Sequence, residues 1–347
     1  MAAPSRRRMG TGSLEIIKPT ILIAQIYSRY SPAMKALAFH SYGSPEVLAI
    51  EEVLDPKPAE RQILVQVHAA AINPKDILVR KGKFRRFTGK HFPQFSGYDL
   101  AGEVIALGEN VQEFIIGEPV FAMLNGWIGG ACAQFASVPV GEAAPMPPGI
   151  TFEEAASVPL AALTALQALR DEGKLRAGQE VCINGASGGV GVFAVQIAKI
   201  LGARVTAVCS HRNIEMVQQL GADATIDYTR RDVLETAQNC DIFFDVFGNK
   251  SFSGAKSLLK KRGKYITTVP KLRNFVDAFF STFRRKTARV VLVKSNRADL
   301  ELIAEWLIAG KLKPVIDRVY PLTAAAEAHR YIETKRARGK VVLTIES

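Results

Sequence analysis

The chain has 347 residues, enough for two domains of roughly 150 residues with a cleft between them. Its 48% apolar and 22% charged residues place it among folded globular proteins and exclude the disordered, fibrous and disulfide-stapled classes. The net charge of +12 points to anionic ligands, a membrane surface or nucleic acid; no recognised binding motif accompanies the charge, so nucleic acid is set aside.

Residues 1–33 carry Arg6, Arg7, Arg8, Lys18 and Arg29 against Glu15 alone. They read as an appendage, either a targeting segment or a tail added by an upstream start, because Met34 opens a clean strand. From residue 34 to 157 short strands follow one another between Gly and Pro: KALAF, EVLAIEEV, QILVQVHAAAI, GEVIALG, EPVFAML and CAQFASVP. That spacing without long helices predicts a compact β-barrel-like lobe. From residue 158 to 296 strands and helices alternate. EVCIN, RVTAVCS, ATIDY, DIFFDVF, KYITTV and ARVVLVK are near-continuous apolar runs, the signature of a parallel sheet buried on both faces and hence of an α/β fold. In 297–347 an amphipathic helix (Leu300, Ile303, Ala304, Leu307) precedes GKVVLTI, which reads as a return to the first lobe. No stretch approaches the roughly 18 uninterrupted apolar residues of a membrane-spanning helix. Cys132, Cys182, Cys209 and Cys240 form no CxxC and have no histidine at ligand spacing, so they read as buried thiols in a reducing compartment, which favours the cytoplasm over an organelle or a membrane surface.

The sharpest local signal is VCINGASGGVG, Val181 to Gly191. A strand ends at Asn184, Gly185 opens a turn, and a helix is predicted from about Gly189, its apolar residues Val190, Phe193, Ala194, Ile197, Ala198 and Leu201 falling on one face. Glycine is needed where the backbone turns tightly and approaches a pyrophosphate, so that amide N–H groups and the positive helix end face the anion. Gly185, Ala186, Ser187, Gly188, Gly189, Val190 and Gly191 are therefore the expected phosphate cradle. No Lys-Ser or Lys-Thr pair follows, which argues against a nucleoside triphosphatase. The next strand ends in Ser210-His211-Arg212-Asn213 with no carboxylate before Glu215. A ribose 2′-hydroxyl calls for an acid here and a 2′-phosphate for hydroxyl and cationic groups, so NADPH is favoured over NADH.

Further on, Phe275, Phe279, Phe280 and Phe283 stand at helical spacing ahead of Arg284, Arg285 and Lys286. Aromatic stripes of this kind are usually packed inward, so this one is expected to cover the acceptor pocket or a subunit interface. Peripheral attachment to anionic lipid is the alternative.

Taken with AAINPKD (Ala70 to Asp76), FPQFSGYDLAGEV (Phe92 to Val104), GGACAQFASV, LTALQAL, LGADATIDY, DVFGN and RARGKVVL, these features resemble the zinc-independent quinone oxidoreductase branch of the medium-chain dehydrogenase/reductase superfamily, from Met34 to the C-terminus. The resemblance implies a GroES-like β-barrel catalytic domain, a Rossmann-type doubly wound parallel sheet domain and a C-terminal return to the first, with dimers common. It implies that Ser210, Arg212 and Tyr228 surround the 2′-phosphate, that Thr164, Gly248 and the backbone after Thr268 lie near the nicotinamide, and that Arg338 and Lys340 close over the cofactor. Zinc-dependent relatives place a Cys ligand near Asn73 and a His-Glu pair near Tyr98-Asp99; this chain has neither the Cys nor the His, so no metal is expected. Relatives with a lysine two residues beyond the motif Asp differ from this chain, which has Leu78.

Without zinc, the simplest chemistry is hydride transfer to an acceptor whose product anion is delocalised, a quinone or an α,β-unsaturated carbonyl. Asn73 and Tyr98 are the expected donors of hydrogen bonds to the acceptor oxygen; capping of a turn by Asn73 and core packing of Tyr98 are the structural alternatives. The competing functions are an enoyl-thioester reductase on the same scaffold and a non-catalytic NADPH-binding or membrane-associated protein.

Overall fold

The computed structural model describes residues 33–237 and 239–346. The appendage read at 1–33 lies outside the described residues apart from Ala33. The first lobe contains β1 (Ala33–Phe39), β2 (Leu48–Leu54), β3 (Gln62–Ile72), β4 (Gln94–Phe95), β5 (Asp99–Leu107), β6 (Pro119–Met123), β7 (Phe135–Pro139) and β8 (Ala143–Pro145). β1 pairs with β2 and β4, and β3 pairs with both β5 and β7, all antiparallel. β3 is the long central strand, and its three small residues Ala69, Ala70 and Ala71 are fully buried where β5 and the returning β16 pair with it. The run EVLAIEEV starts later than its composition predicts, because Pro45–Val47 forms a 3-10 turn before the chain extends.

The second lobe is a six-stranded sheet of β9 (Glu180–Asn184), β10 (Arg204–Cys209), β11 (Ala224–Asp227), β12 (Cys240–Asp245), β13 (Leu259–Thr267) and β14 (Thr287–Val290). All neighbours are parallel, in the order β11-β10-β9-β12-β13-β14. Helices lie against both faces, which is why the strands read as unbroken apolar runs. Val181, Cys182, Ile183, Phe243 and Phe244 are all buried, and each large one contributes on the order of 1.5–3 kcal/mol by leaving water. ARVVLVK was expected to run as strand to Lys294, but only Thr287–Val290 pairs. β14 is the sheet edge, and its pairing ends where the Val291 amide takes the Thr267 carbonyl and the chain turns away.

The chain then returns. The helix Arg297–Ile308 is followed by β15 (Ile316–Pro321) and β16 (Lys340–Thr344), and β16 joins β3 antiparallel with Val341 opposite Ile72. The wholly buried helix Pro159–Leu166 lies in a core that contains residues of both lobes, among them Phe39, Ala71, Phe193 and Ile303. The sheet order reverses between β9 and β12, so the loops after these strands face each other at a switch point, the place where open α/β sheets bind ligands. Among the described residues no helix is long and apolar enough to cross a membrane.

Candidate functional site

The turn after β9 is built as its sequence predicts. The helix runs Gly189–Ile200 with Gly188 as N-cap. Gly185 has φ +90, and its amide and that of Ala186 both donate to the Val208 carbonyl on β10, at 3.2 and 3.1 Å, which anchors the turn to the sheet. A Cβ on Gly191 would stand 2.1 Å from Gly185 O and 2.6 Å from Ala186 C, so the helix packs on the turn at a distance only glycine permits. Gly188 is different: a Cβ there would meet only Gly185 O, at 3.6 Å. It faces open space at the positive end of a twelve-residue helix. Shape, polarity and backbone donors fit a diphosphate.

The opposite wall is the loop after β12. Asp245 is fully buried; its Oδ1 accepts from Asn184 Nδ2 (2.7 Å) and Gly248 N (2.9 Å), and its Oδ2 from Lys250 N (2.9 Å) and Tyr265 OH (3.0 Å). One carboxylate thus fixes the loop that carries Phe247 and Gly248. Phe247 comes within 3.2 Å of where a Gly185 Cβ would stand, so the two loops touch across the switch point. Thr164 is buried in the inter-lobe helix and donates to Leu160 O (2.6 Å).

Ser210 and Tyr228 end adjacent strands β10 and β11, whose last paired residues are Cys209 and Asp227. Tyr228 is 60% exposed and Arg212 is exposed, its Nη2 3.5 Å from Arg336 O. Asp227, next to Tyr228, accepts at Oδ1 from the amide (3.0 Å) and hydroxyl (2.7 Å) of Thr229, and its Oδ2 stands 3.6 Å from Arg230 Nε. The exposed Lys335, Arg336 and Arg338 bring three further cations from the C-terminal segment, which is stitched to the turn by Gly339 N donating to Ser187 O at 3.0 Å. Asn213 Nδ2 donates to Ser187 Oγ (2.9 Å), tying the second strand's exit to the turn as well.

Lys340 departs from expectation. Its stem passes Gly189, but its ammonium turns into the first lobe, where it is 3% exposed and donates to Asn73 Oδ1 (2.6 Å) and Asp99 Oδ2 (3.2 Å). Asn73 in turn donates from Nδ2 to Asp99 Oδ2 (2.9 Å) and Ala71 O (3.3 Å). Its backbone amide donates to Asp76 Oδ2 (2.8 Å), closing a capping box on the helix Pro74–Arg80. Asp99 Oδ1 accepts from Leu160 N (2.9 Å), so the network reaches the inter-lobe helix. Asn73 therefore has no proton left for an acceptor oxygen, and its role in the structure is to cap a helix and hold Lys340. Tyr98 is likewise committed: it is 1% exposed and its hydroxyl donates to Trp127 O at 2.6 Å. The positions that the resemblance associates with a zinc ion hold this chain's own ammonium instead. Asn73 and Asp99 thus do not fit a metal, and among the described residues no cluster of three His, Cys, Asp or Glu side chains is placed to hold one.

Burial raises the carboxyl of Asp99, opposed by Lys340, and pushes that of Asp76 up to about 6, opposed by the amides of Asn73 and Gly97. Burial also raises the Tyr98 hydroxyl, keeping it protonated. Lys75 was not singled out from the sequence, although it lies inside AAINPKD. Its Nζ stands 3.6 Å from the Tyr98 ring centroid and donates to Gly126 O at 3.0 Å, and burial draws its pKa below the usual lysine range. Beside it the exposed Phe87 and Trp127 rings stack at 4.3 Å, an apolar shelf at the rim of the first lobe.

Residues 59–163 match the family described as alcohol dehydrogenase GroES-like domain, and residues 220–343 the family described as zinc-binding dehydrogenase. The mitochondrial NAD(P)H oxidoreductase RTN4IP1 of Mus musculus is 33% identical, covering 95% of this chain and 94% of its own. The chloroplastic NADPH-dependent alkenal/one oxidoreductase of Arabidopsis thaliana is 33% identical over 89% of this chain and 79% of its own. The solved quinone oxidoreductase of Coxiella burnetii superposes with a TM-score of 0.85 at 30% identity, covering 90% of this chain and 100% of that one.

Proposed function

The chain belongs to the medium-chain dehydrogenase/reductase superfamily, and from that premise we propose that it is an NADPH-dependent, zinc-independent oxidoreductase that reduces a quinone or an α,β-unsaturated carbonyl. The observation that carries this reading is the turn Gly185–Gly191: a helix start fixed to the sheet on one side and open at Gly188 on the other. NADPH, when bound, supplies a hydride from C4 of its nicotinamide.

The residues of this chain do the rest. The amides of the first helical turn, Gly189 to Gly191, face the pyrophosphate, while those of Gly185, Ala186 and Gly188 hold the turn itself. Ser210, Arg212 and Tyr228, backed by Arg338, surround the adenosine phosphate. Thr164 and the Asp245-braced Gly248 loop frame the nicotinamide end. Lys340 holds Asn73 and Asp99 rigid instead of covering the cofactor, so the cleft floor is a closed polar network. Lys75, its pKa lowered by burial and its ammonium poised against the Tyr98 ring, holds the proton that a reduced acceptor takes up. The Phe87–Trp127 shelf suits a flat conjugated acceptor. The names of the relatives support the acceptor class: one is an NADPH-dependent alkenal/one oxidoreductase, another a quinone oxidoreductase.

The test is NADPH consumption by purified protein against a panel of quinones, alkenals and enoyl-CoA thioesters. Turnover with quinones or alkenals is expected. Turnover confined to enoyl-CoA, or binding of NADPH with no acceptor consumed, would overturn it.

A further inference from the structure

The helix Leu272–Ser281 is mounted inside out. Leu272, Val276, Phe279 and Phe280, with Phe283 just past its end, recur at i, i+4, i+7, i+8 and i+11, one continuous helical face. That face points to solvent: Leu272 is 80% exposed, Phe279 67%, Phe280 64% and Phe283 91%. The opposite, polar face makes the attachment. Asn274 Nδ2 donates to Val269 O (2.8 Å), and Ser281 Oγ accepts from Ala288 N (2.7 Å) on the edge strand β14. The expectation that this stripe covers the acceptor pocket is therefore corrected.

Directly after Phe283 the chain supplies Arg284, Arg285 and Lys286, which with Lys256 and Lys261 line a cavity of about 540 Å³. Among the described residues none of these five has a carboxylate within ion-pair distance; Lys286 Nζ is held by Lys256 O at 2.6 Å. Residues 256–294 hold twelve Lys and Arg against Asp277 alone, close to the whole of the protein's excess of +12.

We infer that this face docks on the surface of an anionic lipid bilayer, the phenylalanines entering the boundary between headgroups and acyl chains and the cationic cavity receiving lipid phosphates. Charge complementarity selects this occupant. A second copy of the chain would bring two such cationic clusters together, and nucleic acid would answer the cations but leave the apolar face in water.

The test is flotation of the full chain with vesicles of phosphatidylcholine alone or mixed with phosphatidylserine, at low and high salt. Binding to the mixed vesicles only, weakened by salt, is expected. Phe279→Ser with Phe283→Ser, and separately Arg284→Gln with Arg285→Gln, each weaken it by at least about tenfold, with NADPH oxidation by the protein in solution unchanged. Equal binding to neutral vesicles, or no binding to either, overturns the inference. So does a wild-type dimer that the phenylalanine variant converts to a monomer, since a second copy would then cover the face. Preferential binding to an RNA or DNA homopolymer does the same.

Discussion

Replacing Gly188 with alanine separates a glycine kept for the ligand from one kept for the fold. Its backbone, φ −87 and ψ 178, is extended and open to any residue, and an added Cβ meets a single atom at 3.6 Å. Alanine is a poorer N-cap than glycine by a few tenths to about 1 kcal/mol. About 0.4–1 kcal/mol returns from the less disordered unfolded chain. Folding stability should therefore hardly change. The bound pyrophosphate, in contrast, needs the space that the methyl group fills. Backing it away weakens one or two charge-assisted hydrogen bonds of about 1.5–3 kcal/mol each, which raises the dissociation constant for NADPH by roughly ten- to a hundredfold or more. Gly191→Ala is the counterpart: its Cβ would overlap Gly185 O at 2.1 Å, so the variant should lose folding stability outright. Calorimetric titration with NADPH alongside thermal unfolding reads both effects. A Gly188→Ala variant that unfolds like wild type and binds NADPH with unchanged affinity would refute the cradle.

Three further outcomes are expected. Lys340→Met leaves the Asp99 carboxylate buried and uncompensated and should cost about 3–5 kcal/mol in denaturant unfolding; adding Asp99→Asn should recover part of it, and a loss that the second change does not reduce would contradict the pairing. Arg212→Gln should weaken NADPH by about tenfold or more while leaving NADH unchanged; equal losses for both nucleotides would place Arg212 away from the 2′-phosphate. His329 is fully buried, and burial beside Arg80 pushes its pKa down to about 3, so the unfolded chain takes up a proton that the folded one refuses. Stability from this residue is complete above the unfolded histidine pKa of about 6.5 and falls by about 2 kcal/mol from about pH 7 to pH 5. Asp76, raised by burial to about 6, acts in the opposite direction inside the same range, so the comparison is with His329→Leu, whose stability should fall less on acidification; an identical pH slope would count against a buried neutral imidazole.

The strands and the glycine turn could be read from the chain because their causes are local. A sheet covered on both faces demands unbroken apolar runs, and a tight approach to a helix start demands glycine at fixed offsets. The Lys340 network could not, since Asn73, Asp99 and Lys340 meet only when β16 returns beside β3, and Lys340 in GKVVL looks like any strand-opening lysine. Tyr98 was visible as a candidate, but its hydroxyl's partner is a backbone carbonyl on a separate loop, which carries no sequence signature. The stripe at Leu272–Ser281 has the period of a buried face. Only the side on which Asn274 and Ser281 find the edge of the sheet decides that it points outward.

Uptake of a 2′-phosphorylated dinucleotide at the loop after β9 is the property on which the proposed chemistry depends. Isothermal titration of the wild-type protein with NADPH and with NADH asks this directly. Saturable binding of one NADPH per chain, tighter than NADH, is the result the structure leads us to expect; absence of heat and saturation with both nucleotides would contradict it.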